Sequence, residues 1–368
     1  MRAERADAVV IGAGLAGSAA AWALAGRGRS VILLEAFPPG HRRGSSHGSA
    51  RIFRRAYPDP LYVRLTGQAQ RLWRQLAEES GRELVVTTGA VDYGPALPEE
   101  MYGIMTAAGV PAELLSTGAA AERWPGMSFG DDPVLFHRDG GVLDPENAMA
   151  ATREIAASHG AQICYGSPVV RIEPGAEDAI VHTADRSWRA PAVIVAAGAW
   201  LEPLIGHLVR LPPLAVTQVQ AFHFAQRPPA GPWPAFICHD EVAMYGLPAG
   251  RDGEVPGAIK VGEHGRGTVT TGDDRDGIVS PAARGRVRAF ARERLAGLDP
   301  DPVGETSCLY TATGSEDFIL DRQGPFVICS ACSGHGAKFA PLTGEMAADL
   351  ACGEMQREAR FTLAAHRR

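Results

Sequence analysis

The sequence predicts an α/β protein in which a doubly wound, largely parallel sheet is joined to a second, α+β domain built on an antiparallel sheet. Three observations predict it. A strand, a glycine-rich turn and a helix open the chain, two later apolar segments read as returns to the same sheet, and an alternating apolar and polar stretch lies between those two.

Asp7 to Ile11 begins with one acidic residue and continues as a short apolar run of the kind buried on both faces of a parallel sheet. Gly12-Ala13-Gly14-Leu15-Ala16-Gly17 follows as G-x-G-x-x-G, and Ser18 to Ala25 continues as an alanine-rich helix ending near Gly26 and Gly28. In this pattern Gly12 permits the tight turn, Gly14 lets backbone approach a pyrophosphate, and Gly17 lets helix and strand pack closely. A second strand, Ser30 to Leu34, delivers Glu35, whose carboxylate stands where it accepts hydrogen bonds from the ribose of an adenosine. The first domain is therefore Rossmann-like and built for a dinucleotide, although the glycines alone do not choose between FAD and NAD.

The returns to the sheet do choose. Ala192 to Ala197 is an apolar strand running into the small-residue turn Gly198-Ala199-Trp200, and Phe326 to Cys329 leads into Ser333-Gly334-His335-Gly336-Ala337-Lys338-Phe339. A plain NAD dehydrogenase would show an unbroken series of strand and helix units, whereas here the segments are scattered over the whole chain. A late glycine-rich turn entering a helix over Pro341 to Ala351 places backbone donors and a helix N-terminus beside an electron-rich ring or a carboxylate. That layout suits FAD. The stretch from Leu211 to Tyr310 alternates in places, as in Thr217 to Phe224, and predicts an antiparallel sheet that roofs the cofactor.

Composition bounds the partners. At 368 residues the chain exceeds the size at which one core keeps growing, so two domains are expected. A net charge of -6 lacks the basic excess that nucleic-acid binding requires. The first 26 residues superficially resemble a signal peptide, but Glu4, Asp7 and the glycines oppose that reading, and no apolar stretch is long enough to span a bilayer. Six cysteines are too few for a disulfide scaffold, and Cys329-x-x-Cys332 has no second pair to complete a zinc site, so no metal is expected. The reading is a cytoplasmic protein without membrane or nucleic-acid partners.

Four further segments carry a resemblance: Gly44 to Tyr57, Ile259 to His264, Cys308 to Thr311, and Ser333 to Phe339. In this order they resemble the monomeric sarcosine oxidase and N-methyltryptophan oxidase group of the D-amino-acid-oxidase-like flavoproteins. The resemblance runs over nearly the whole chain and implies a monomeric FAD enzyme that oxidises the carbon-nitrogen bond of a small amine or amino acid, with oxygen reduced to hydrogen peroxide.

The resemblance also implies roles. Cys308 matches the cysteine that links FAD covalently through a thioether; read alone it is a buried thiol. Arg54 and Lys338 match the pair that grips the substrate carboxylate, a planar fork and a point charge; composition alone makes Arg54 a surface arginine. Lys260 matches the lysine that assists oxygen, where a fixed cation stabilises the charge that develops; its alternative is a solvated strand lysine. His264 and Tyr310 match positions near the substrate amine, and His47, Arg51, His335 and Gly336 match positions around the flavin ring. Gly336 is expected to hold a backbone conformation closed to other residues. Arg55 and Ala337 depart from the sarcosine enzymes, which carry histidine and phenylalanine there, so a substrate bulkier than sarcosine is expected.

The expected FAD-binding domain is discontinuous, over residues 1–85, 142–206 and 312–368, with residues 86–141 and 207–311 forming the substrate domain. Rival readings are an oxidase of a cyclic imino acid such as pipecolate or of a biosynthetic intermediate, an NAD-dependent dehydrogenase, and a binding protein that has lost turnover.

Overall fold

The computed structural model describes residues 3–95, 97–229, 231–330 and 332–367. Strands Gln162–Cys164, Val31–Leu34, Ala8–Ile11, Ala192–Val195 and Phe326–Ser330 lie side by side in that order, all parallel, with Ile319–Gln323 antiparallel at one edge. Their apolar sequences follow from burial on both faces. Val10, Leu33 and Ile194 pack toward helices Leu15–Gly26, Pro145–Ser158 and Ala340–Ala351, while Val9, Ile32 and Val193 pack against Trp188, Val181 and Ile172 of a small second sheet. That second sheet joins Glu4–Arg5, Ser187–Ala190, Ala179–His182 and Arg171–Pro174.

The larger sheet has nine strands. Ala215–Phe224, Ile259–Glu263, Met244–Pro248, Ala235–Cys238, Ala90–Tyr93, Val134–His137 and Glu113–Leu115 follow one another across it, and Gly304–Ala312 and Thr268–Val269 both pair with Ala215–Phe224. It is antiparallel as expected except at Ala235–Cys238 against Ala90–Tyr93, where two distant stretches of chain meet in parallel. Phe222, Phe224, Phe236 and Val261 cover one face together with Val287 and Ala291 of helix Pro281–Arg294. Val219, Ala221 and His223 alternate onto the other face, and Lys260 stands opposite His223 in the register.

Helix Pro60–Ser80 is stopped and started by its sequence. Asp59 accepts a hydrogen bond from the Leu61 amide, Pro60 opens the first turn, and Gly81 ends the helix in a left-handed conformation. Its inner face packs with helices Ala340–Ala351 and Pro145–Ser158, and Met101, Met105 and Val110, from the stretch expected to belong to the substrate domain, share that core. Among the described residues no helix is long and apolar enough to cross a membrane.

Candidate active site

The carboxyl ends of the parallel strands open into a cleft of about 1480 Å³ that continues beneath the nine-stranded sheet. At its deep end the three glycines behave as the motif requires. Gly12 has φ +98°, and a Cβ there would stand 2.6 Å from the Ala196 carbonyl oxygen; one on Gly17 would stand 1.8 Å from the Gly12 carbonyl oxygen. Gly14 caps helix Leu15–Gly26 without a side-chain bond, and no acidic residue occupies the first turn, so this end of the helix suits an anion. Glu35 lines the cleft and accepts from the amides of Ala13 at 2.8 Å and Phe37 at 3.0 Å. Burial opposes its charge, but His41 and those two amides prevail and hold the carboxyl below its ordinary value.

Midway along, the loop from Ser45 to Arg51 forms a wall. Arg51 ties it by donating to the carbonyls of Ala50, Ser45 and His47, and Ser45 donates to the Leu309 carbonyl at 2.6 Å. The Cys308 sulfur lies 4.0 Å from Arg51 Nη2 and faces the same cleft. His47 is buried, its Nε2 has no partner among the described residues, and burial with Arg51, Arg275 and Lys260 lowers it to about 3, leaving a neutral ring. Lys260 is 6% exposed; Nζ is 3.5 Å from the Ala50 carbonyl and 3.7 Å from Asp252. Burial and then Arg51 bring it down to about 8, with Asp252 opposing.

The far end brings Arg54 and Lys338 together around Tyr57. The Arg54 guanidinium lies 4.6 Å from the Tyr57 ring centroid, Nη1 donates to the Ala56 carbonyl and stands 3.2 Å from Asp92, and Nε and Nη2 have no hydrogen bond among the described residues. Lys338 Nζ donates to the Tyr57 hydroxyl at 3.0 Å and the His335 carbonyl at 2.9 Å. His264 and Tyr310 are neighbours, with ring centroids 5.8 Å apart, and burial with Arg54 and Lys338 lowers His264 to about 4. The turn from Ser333 corrects one expectation. Gly336 opens a right-handed 3₁₀ turn, and the left-handed glycine is Gly334, at φ +72°; a Cβ there would stand 2.4 Å from the Tyr310 ring and 2.8 Å from His264. Gly334 therefore lets this turn close on the two aromatic residues.

The DAO family model, described as FAD dependent oxidoreductase, matches residues 7–350. The chain belongs to this family. Relatives of the oxidoreductase include the monomeric sarcosine oxidase of Streptomyces avermitilis, 34% identical over 94% of this chain and 93% of the relative. The N-methyl-L-tryptophan oxidase of Yersinia pestis is 33% identical over 93% and 94%. Among solved structures, NikD, an unusual amino acid oxidase essential for nikkomycin biosynthesis, superposes with TM-score 0.86 at 25% identity, covering 97% of this chain and 96% of that one. The L-proline dehydrogenase of P. horikoshii, at 22% identity, has the same fold with TM-score 0.86.

The residues of this oxidoreductase fit FAD. The glycine turn leaves room for close backbone approach, Glu35 lines the cleft, and the buried His47 Nε2 has no hydrogen-bond partner among the described residues. Two residues beside Arg54 lay outside the sequence reading. Tyr57 closes the segment Gly44 to Tyr57 yet joins Arg54 to Lys338 in space. Asp92, wholly buried, accepts from His239 Nε2 at 2.8 Å behind Arg54; a single carboxylate in the apolar strand Ala90–Tyr93 was the available signal. Of the two departures, Ala337 lines the cleft, whereas Arg55 lies against Gly67 of helix Pro60–Ser80.

Proposed function

We propose that this oxidoreductase oxidises the carbon-nitrogen bond of an N-methyl or other secondary amino acid to an imine, with oxygen reduced to hydrogen peroxide. The observation that carries the reading is the convergence of Arg54 and Lys338 at one end of the cleft that holds Lys260 and Cys308 further along. Residues 1–85, 142–206 and 312–368 would carry the cofactor and the remainder the substrate. Six unpaired thiols suit a reducing compartment, and we place the enzyme in the cytoplasm as a monomer.

When bound, FAD supplies the two-electron acceptor. Arg54 receives the substrate carboxylate on its free Nε and Nη2 edge, because Nη1 is already committed to Ala56 and Asp92. The site's own amines support this reading: burial with Arg51 lowers Lys260, and burial with Arg54 lowers Lys338 well below its ordinary value. The same surroundings favour the deprotonated substrate amine that oxidation needs. His264 and Tyr310 orient that amine by contact rather than by exchanging protons. Ala337 leaves space for a side chain larger than hydrogen, so a panel of N-methyl amino acids should give higher turnover efficiency for bulkier members than for sarcosine. Equal activity on their methyl esters would refute the carboxylate assignment.

Lys260 is assigned to oxygen, and its titration gives a direction. The cation is present below about 8 and lost above it, so oxygen uptake by the reduced enzyme should fall as pH rises through that value. Lys260→Met should be slow at every pH, by about 100-fold or more, while reduction by the amine changes little. Stopped-flow measurement of the two half-reactions checks this, and an equal loss in both would remove the role.

Cys308 is assigned the covalent thioether to FAD. Acid precipitation should leave the yellow colour with the wild-type pellet and release it to the supernatant from Cys308→Ala. Free FAD from the wild-type protein would keep the oxidase reading and discard the link.

A further inference from the structure

An amino acid arrives as a zwitterion, and its nitrogen has to give up a proton before the carbon-nitrogen bond can be oxidised. The hydrogen bonds around Lys338 define an acceptor for that proton. The Glu316 carbonyl can only accept, so its 3.0 Å bond to His335 Nε2 puts the ring proton on Nε2. Burial and Lys338 lower His335 to about 3, which keeps the ring neutral and leaves Nδ1 an acceptor. The Tyr57 hydroxyl, 3.2 Å from Nδ1, must donate to it; burial pushes that phenol up, so it keeps its proton. The hydroxyl oxygen is then left to accept from Lys338 Nζ at 3.0 Å, and a second Nζ proton goes to the His335 carbonyl at 2.9 Å.

Two of the three directions around Nζ are thus fixed as donors. The third makes no hydrogen bond among the described residues, and Lys338 lines the cleft. In a neutral lysine that direction holds the lone pair. The groups that face it are Arg54, Asp92 behind Arg54, and the rings of His264, His335 and Tyr57; burial and then Arg54 favour the neutral amine, with Asp92 opposing. Helix Pro60–Ser80 holds the backbone in place through Trp73 Nε1, which donates to the Lys338 carbonyl at 2.7 Å.

We propose that Lys338 Nζ takes the proton from the substrate ammonium as the zwitterion binds. The inference rests on the reading that Arg54 and Lys338 receive the carboxylate. The substrate N–H bond breaks and leaves its electron pair on nitrogen, an Nζ–H bond forms, and the new lysine ammonium donates to the carboxylate beside Arg54. The substrate becomes an anion, the lysine a cation, and no proton enters or leaves the site. Both electrostatic effects drive the transfer in one direction. The cations disfavour the substrate ammonium, and the arriving carboxylate raises the affinity of Nζ for a proton. The amine and carboxylate of an α-amino acid are one carbon apart, so a base that touches one is within reach of the other.

The test is calorimetric titration of the FAD-loaded enzyme with acetate at pH 8, in buffers of different ionisation enthalpy. Acetate brings a carboxylate but no proton, so wild-type binding should take up about one proton per site, and Lys338→Met and Lys338→Arg should take up none. Acetate binding without proton uptake by the wild-type enzyme overturns the proposal and leaves the clamp standing; failure of acetate to bind overturns the clamp itself. Anaerobic mixing with an N-methyl amino acid and a pH indicator then follows the transfer. The wild-type enzyme should release no proton before the flavin bleaches, and Lys338→Met should release about one per site. If Lys338→Met does not retain FAD, Lys338→Arg decides, since arginine keeps the charge and accepts no proton; release by the wild-type enzyme as large as by the variant sinks the idea.

Discussion

Gly17→Ala is expected to leave the enzyme without its flavin. The added methyl would stand 1.8 Å from the Gly12 carbonyl oxygen, and both partners are backbone, so no side-chain rotation relieves the overlap. Helix Leu15–Gly26 has to move off the strand Ala8–Ile11, and its N-terminus is the end that faces the cleft. A displacement of this kind costs about 3 kcal/mol or more, which corresponds to at least a 100-fold loss of FAD affinity if the helix end carries it. The control is Gly26→Ala at the other end of the same helix, where a Cβ meets nothing within 4 Å. That change should stabilise the chain by roughly 0.5 kcal/mol while leaving flavin content unchanged. Absorbance of the purified variants and their thermal unfolding separate the two outcomes. Full flavin in Gly17→Ala would mean that close helix-strand packing is not what the third glycine provides.

That prediction could be framed from sequence because the information is local. Gly12, Gly17 and Glu35 act within one strand-turn-helix-strand unit, and their spacing encodes their geometry. The parallel sheet was legible for a related reason: strands buried on both faces are apolar throughout. The far end of the cleft is different. Arg54 and Lys338 come from opposite ends of the chain and were readable only through the resemblance of their surrounding segments. Nothing in Ala90-Val91-Asp92-Tyr93 says that Asp92 will meet Arg54, because Arg54 follows strand Arg51–Phe53, which pairs with Gly141–Leu143 in a different sheet, and the two side chains meet only in the tertiary fold. The handedness of the late turn was likewise hidden. Ser333-Gly334-His335-Gly336 contains two glycines, and the approach of Tyr310 and His264, a tertiary fact, decides which one is left-handed.

The second large effect is expected at Arg54, and Asp92 complicates it in a way that can be used. Arg54→Ala removes a charge-assisted bidentate contact to the carboxylate, so kcat/KM for an N-methyl amino acid should fall by about 100- to 1000-fold, mainly through KM. It also strands a carboxylate that is 0% exposed. Burial alone would raise Asp92, and Arg54 followed by His239 outweighs it and holds the group at about 2. Because the folded value lies below the ordinary one, the pair stabilises the fold above the usual carboxylate range, and that contribution is lost as pH falls toward about 2. Without Arg54 the variant should therefore lose about 3 kcal/mol at neutral pH, the cost of leaving one member of a buried pair uncompensated. The double variant Arg54→Ala/Asp92→Asn removes the stranded charge, so it should recover most of the stability and none of the KM. Thermal unfolding and steady-state kinetics on the same preparations distinguish the two roles. If the double variant regained substrate affinity together with stability, Arg54 would be a structural partner of Asp92 and the carboxylate would have to be held elsewhere. If KM stays high while stability returns, the guanidinium edge that Asp92 and Ala56 leave free is the edge that reads the substrate.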